Sequence, residues 1–97
     1  LRFGRKARSH PDLDEARVWV QDEVDRLRAL SYSQLVELRA TPRHHPFTSR
    51  TGRPLVGETS VHRNGEEGPL RVMVDVWESR RRRLNKTVAS DSFVRER

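Results

Sequence analysis

Apolar positions recur along this chain with two different periods, and the change falls near residue 42. In "HPDLDEARVWVQDEVDRLRAL", Leu13, Ala16, Val20, Val24 and Leu27 follow one another at three- and four-residue steps. That spacing draws one apolar stripe along an amphipathic helix. Asp12 with Glu15 three residues later has the form of a capping box, with Pro11 just outside, so the helix is expected to start after Asp12. Trp19 falls beside the stripe, near Ala16 and Leu30, while Val18 faces nearly the opposite way. Ser31 and Gln34 repeat the capping pattern, which predicts a break and a short second helix in "SYSQLVELRA". Thr41-Pro42 ends it, because the residue before proline disfavours helical geometry.

Beyond residue 42 the period is two. "RPLVGETSVHR" puts Leu55, Gly57, Thr59 and Val61 on one strand face, and "NGEEG" at 64–68 reads as a turn. "PLRVMVDVWE" is the clearest strand. Leu70, Val72, Val74 and Val76 line one face and Arg71, Met73, Asp75 and Trp77 the other. A further strand is expected around "RLNKTVA", over Leu84–Ala89. An earlier one is expected around "HHPFTSR", confined to an edge or a bulge by Pro46, with Thr51-Gly52 turning it into the next. Helices followed by strands predict an α+β fold: an N-terminal amphipathic helix and a short second helix on one face of a three- to four-stranded antiparallel meander. The valine face of 70–76 should meet the helix stripe. Met73 and Trp77 are then left on the second face.

Composition narrows the picture. Ninety-seven residues suit one domain, expected over 12–97 behind a basic tail at 1–11. No apolar run approaches the roughly 18 residues of a membrane span, so no membrane partner is expected. Cysteine is absent, which removes disulfides, thiolate ligands and thiol nucleophiles and fits a cytoplasmic location. The chain starts at Leu1 rather than methionine, as a processed or trimmed chain would, and "LRFGRKAR" lacks the apolar core of a secretory signal. The net charge of +6 is uneven: residues 1–11 carry +4, residues 12–40 carry −3, and residues 41–97 carry +5. Such polarity bears on association and solubility before function.

Three segments taken together, "EVDRLRALSYSQLVEL", "GPLRVMVDV" and "RRRLNKTVASDSFVRER", resemble small uncharacterised prokaryotic α+β proteins over about residues 20–95. Ala29-Leu30-Ser31-Tyr32 and Ser90-Asp91-Ser92-Phe93-Val94 carry the resemblance. It implies a helix leading into a β-meander that closes on a strand, an "SDSFV"-like turn and a short tail. Here "RER" stands where such families commonly place a "PDG" turn. The resemblance implies a fold and no activity.

Candidate chemistry is sparse. Arg80, Arg81, Arg82 and Arg83 with Lys86 put five positive side chains in seven residues, enough to neutralise several phosphates. Strand alternation would split them between two faces, however, and no series of stacking aromatics accompanies them. They are expected to form a solvated hairpin end. His44-His45 suggests a metal site that Glu58 and His62 could complete, but adjacent residues on an extended segment point apart, and no metal or other cofactor is expected. No nucleophile elbow, phosphate loop or oriented histidine is present, so the chain reads as non-enzymatic. A ribosome-dependent ribonuclease toxin would have a similar size and charge, with Arg71, Arg82 and His62 cast in its site. Met73 and Trp77 are costly to leave in water, about 1.5–3 kcal/mol each. Either terminal residues such as Leu1, Phe3, Phe93 and Val94 cover them, or they form a partner surface. The expected function is a small interaction domain that associates with itself or another protein. The alternative is a basic nucleic-acid-binding module, and a ribonuclease toxin comes third.

Overall fold

The computed structural model describes residues 11–79 and 86–97. Helix α1 (Pro11–Arg28) and helix α2 (Tyr32–Glu37), which continues into a 3₁₀ turn at Leu38–Ala40, precede four strands. These are β1 (Arg43–Thr48), β2 (Pro54–Arg63), β3 (Leu70–Glu78) and β4 (Lys86–Arg95), in one sheet ordered β1-β2-β3-β4. Every neighbouring pair is antiparallel. The fold is α+β, with both helices against one face of a meander.

Two boundaries differ from the sequence reading. Helix α1 begins at Pro11 and not after Asp12. Proline suits a first helical position, where its missing N–H costs nothing, and that places Asp12 inside the first turn. Strand β4 is not the Leu84–Ala89 segment but runs through Arg95, so Ser90–Val94 is strand and not a turn. Alternation explains it, since Ala89, Asp91, Phe93 and Arg95 pair with the inward-facing Val76, Val74, Val72 and Leu70 of β3. Two serines and an aspartate in five residues look like turn chemistry, yet pairing with the valine strand prevails over local propensity. A bulge between Val76 and Trp77 absorbs one extra residue of β4 at Val88.

The helix break is as expected. Ser31 Oγ accepts from Gln34 N at 3.1 Å, and Gln34 Oε1 accepts from Ser31 N at 2.8 Å. Gly52 closes the β1–β2 hairpin with φ of 88°, a conformation that glycine adopts without strain.

The core lies between α1 and the inner sheet face. Ala16, Val20, Val24 and Leu27 from the helix are buried against Leu70, Val72, Val74 and Val76, joined by Leu35, Leu55, Val61 and Phe93. Gly57 lies in the same face because the Trp19 indole rests on it, and a Cβ there would collide with the ring. Arg95, also on the inner face, donates to Leu30 O at 2.7 Å and Arg28 O at 2.6 Å. It thereby satisfies carbonyls that the end of α1 leaves open.

The hydrogen-bond parity of the sheet follows from two bonds. Ser49 N donates to Arg53 O at 2.9 Å, and Ser79 N donates to Pro54 O at 3.0 Å. Antiparallel pairs alternate between bonded and non-bonded. The odd residues of β2 therefore bond to β1 and its even residues to β3. Carried to β1, the parity turns Pro46 N toward the open edge, where its missing N–H breaks no bond. Carried to β4, it turns Ser92 N–H outward, and Asp91 Oδ1 accepts from that N–H at 2.8 Å. Both sheet edges are thus blunted against strand addition, one by proline and the other by a side-chain cap.

Candidate interaction face

The outer face of the sheet has no described helix or strand packed on it. Its side chains form four rows across the strands, fixed by register. Pro46, Val56, Trp77 and Thr87 make the first; His44, Glu58, Asp75 and Ser90 the second; Ser60, Met73 and Ser92 the third; His62, Arg71 and Val94 the fourth. Met73 and Trp77 therefore share one face as the alternation required, and both are half-buried. Trp77 folds across β2, where its Nε1 donates to Glu58 Oε1 at 3.4 Å. Val94, 52% exposed, lies on this face opposite Arg71, while Phe93 is buried in the core under the Arg28 guanidinium, 4.8 Å from its ring centre. Phe93 therefore does not cover Met73 and Trp77, and Val94 stands exposed in the row of Arg71, so of the two alternatives the C-terminal pair does not supply the cover. Leu1 and Phe3 lie outside the described residues.

Charge on this face is arranged in bands. Glu58 and Asp75 are directly opposite each other on β2 and β3, a like-charge pairing that costs stability. His44 Nε2 lies 3.5 Å from Glu58 Oε2, on the β1 side of the pair. Asp75 has no hydrogen-bond or ion-pair partner among the described residues. Burial, and then the Glu58 charge, push its carboxyl above the usual range. At the other end of the face His62 and Arg71 are opposite each other, both exposed. A concavity of about 300 Å³ opens beside them, lined by His62, Asn64, Pro69, Arg71 and Val94 together with Arg63 and Leu70.

On the helix side, a cleft of about 260 Å³ lies between α1 and the β1 edge, lined by Trp19, Glu23, Arg26, Arg43, His44, His45 and Thr59. Glu23 accepts from Arg26 Nη2 at 2.7 Å and from Thr59 Oγ1 at 3.0 Å. Burial alone would raise its carboxyl, but these two bonds and the charges of Arg26 and Arg43 hold it below the usual range. Trp19, His45 and Phe47 form an aromatic group beside it, with Trp19 stacked at 5.7 Å on His45 and 5.8 Å on Phe47. The cleft's carboxylate already has its partners, and its rings cover the end of the core.

His44 and His45 are indeed on opposite faces, one beside Glu58 and one against Trp19. Among the described residues, no three histidine or acidic side chains converge as metal ligands. Arg80–Arg83 lie outside the described residues. Lys86 opens β4 opposite Glu78, and Glu78 already holds Arg53 at 3.1 Å. Tyr32 points away from the open face and donates to Gly68 O at 2.6 Å, tying α2 to the β2–β3 turn. Sequence reasoning found Met73 and Trp77 but missed the banding of Glu58, Asp75, His62 and Arg71. Register carries that information, and the alternation of β2 and β3 would have shown it once the turn length was fixed. Among the described residues no helix is long and apolar enough to cross a membrane. Comparison with protein-family models, curated proteins and solved structures finds no match to this chain.

Proposed function

We propose that this chain is a non-catalytic protein-interaction domain, that the open sheet face is its binding surface, and that its occupant is a second copy. The observation that carries the reading is the uncovered outer face, where Val56, Met73 and Trp77 stand half-buried with no described element above them. A one-layer sheet with one covered face has a second face to bury, and a methionine near its centre with a tryptophan at one end is the composition of a contact surface. The edges are blunted, so faces rather than edges are free to meet. Phosphate is a poor match for this surface, because the carboxylates of Glu58 and Asp75 occupy its middle.

The test is sedimentation velocity on the unmodified chain and on Trp77→Arg, with circular dichroism to verify folding. The unmodified chain should sediment faster with rising concentration, and the folded variant should remain the smaller species. A concentration-independent monomer would contradict the reading. Tight, base-selective RNA or DNA binding at about 150 mM salt, measured by fluorescence anisotropy and lost in Arg81→Gln/Arg82→Gln, would replace it with the nucleic-acid alternative.

A further inference from the structure

The open face carries a pattern that selects one way for two copies to meet. Its acidic row, Glu58 and Asp75, and its basic row, His62 and Arg71, lie on the same two strands, about 13 Å apart along them. The row containing Met73 runs midway between them. In the aligned class of face-to-face sheet packing, two simple two-fold axes lie in the interface plane. An axis along the strands, between β2 and β3, would set Glu58 and Asp75 against the same carboxylates of the copy. Four acids would then meet in a drying interface, at a cost of several kcal/mol. An axis across the strands, over Met73, reverses strand direction and sets each acid against a base.

Resting on the reading that this face self-associates, we infer that two copies pack about a two-fold axis over Met73, with Asp75 on the copy's Arg71 and Glu58 on the copy's His62. The same operation carries Trp77 to the opposite end of the partner face, above the copy's Pro69. The 300 Å³ concavity opens there, bordered by Pro69, Arg71 and Asn64. The indole fills it and lies beside an arginine, a favourable neighbour for an aromatic face. Knob, hole and both charge bands thus follow from one axis. Arg71 has no hydrogen-bond or ion-pair partner among the described residues, nor has Asp75, so neither gives up an existing pair to form the contact. Asp75 is already half removed from water in the single chain, which reduces the desolvation that remains. Strand β1 lies wholly on the Trp77 side of Met73 and meets no strand of the copy. Three strands, β2 to β4, at about 4.8 Å spacing and about 23 Å of shared length therefore give a footprint of roughly 330 Å² per copy. That is below the size of a standard specific interface, so the pair should be weak and reversible, with a dissociation constant on the order of 100 μM.

Charge exchange tests the axis. Asp75→Arg sets arginine against the copy's Arg71, and Arg71→Asp sets aspartate against the copy's Asp75. Each variant alone should be monomeric at concentrations where the unmodified chain dimerises. Mixed one to one, they should form a heterodimer in which every arginine meets an aspartate, seen by native mass spectrometry or sedimentation. Glu58→Lys mixed with His62→Glu is an independent second pair, should either β3 variant fail to fold. If the unmodified chain dimerises and Trp77→Arg breaks the dimer, but the mixtures yield no heterodimer, the axis is wrong and the face reading stands. An unmodified chain that stays monomeric overturns both.

Discussion

Gly57 and Asp75 show how differently two residues of one sheet constrain the molecule. Gly57 is in ordinary strand geometry, and what requires glycine there is the Trp19 ring lying on it. Gly57→Ala must move that indole and its contacts with His45 and Phe47. It should destabilise the fold by about 1–3 kcal/mol in denaturant melts, the usual cost of overpacking. Asp75 is a strained residue of the opposite kind. Its folded-state carboxyl titrates above its unfolded value, so the folded chain holds the extra proton and stability falls as pH rises through that window. Asp75→Asn should therefore stabilise the single chain at neutral pH by a few tenths of a kcal/mol, the scale of a like-charge cross-strand pair. It should also flatten the pH dependence between the two values. A natural chain that keeps the costly carboxylate is consistent with its use in a contact.

At the scale of elements, β3 concentrates the argument, because adjacent residues of it serve different purposes. Val74 is fully buried beneath α1 and Met73 is half-buried on the outer face. Val74→Ala should cost about 1–3 kcal/mol of folding stability. Met73→Ala should cost under about 1 kcal/mol by the same melt while weakening association, since only the first leaves a cavity in a closed core. Strong period-two alternation made β3, its faces and the face of β2 legible in the sequence. The capping pair Ser31 and Gln34 likewise fixed the break between helices. What resisted was the C-terminal half of β4, where Ser90, Asp91 and Ser92 have local preferences for a turn. Only long-range pairing with β3 holds them extended. The start of α1 misled for a related reason, because Pro11 can open a helix as readily as stand outside one. The candidate site was half legible. Alternation gives Met73 and Trp77, but rows across strands need a register, and the register depends on turn geometry around Asn64–Gly68.

At the scale of the whole molecule, a single helical layer covers one side of a four-stranded sheet, and among the described residues no element packs on the other. Polar anchors hold that layer at several points: Arg95 on the end of α1, Tyr32 on the β2–β3 turn, and Glu15 accepting from Arg50 N at 2.9 Å. The inner arrangement is therefore complete, and association should leave it unchanged. Met73 is the chain's one methionine and sits at the centre of the open face, so its methyl group reports on that face without assignment. The most direct measurement is an NMR dilution series on chain carrying ¹³C-labelled methionine and valine methyls, from about 10 μM to about 1 mM, a range that brackets a dissociation constant on the order of 100 μM. The Met73 resonance should shift with concentration, together with those of Val56 and Val94, while Val74 and Val24 beneath the helix stay fixed. A Met73 signal that does not move across that range would contradict the account.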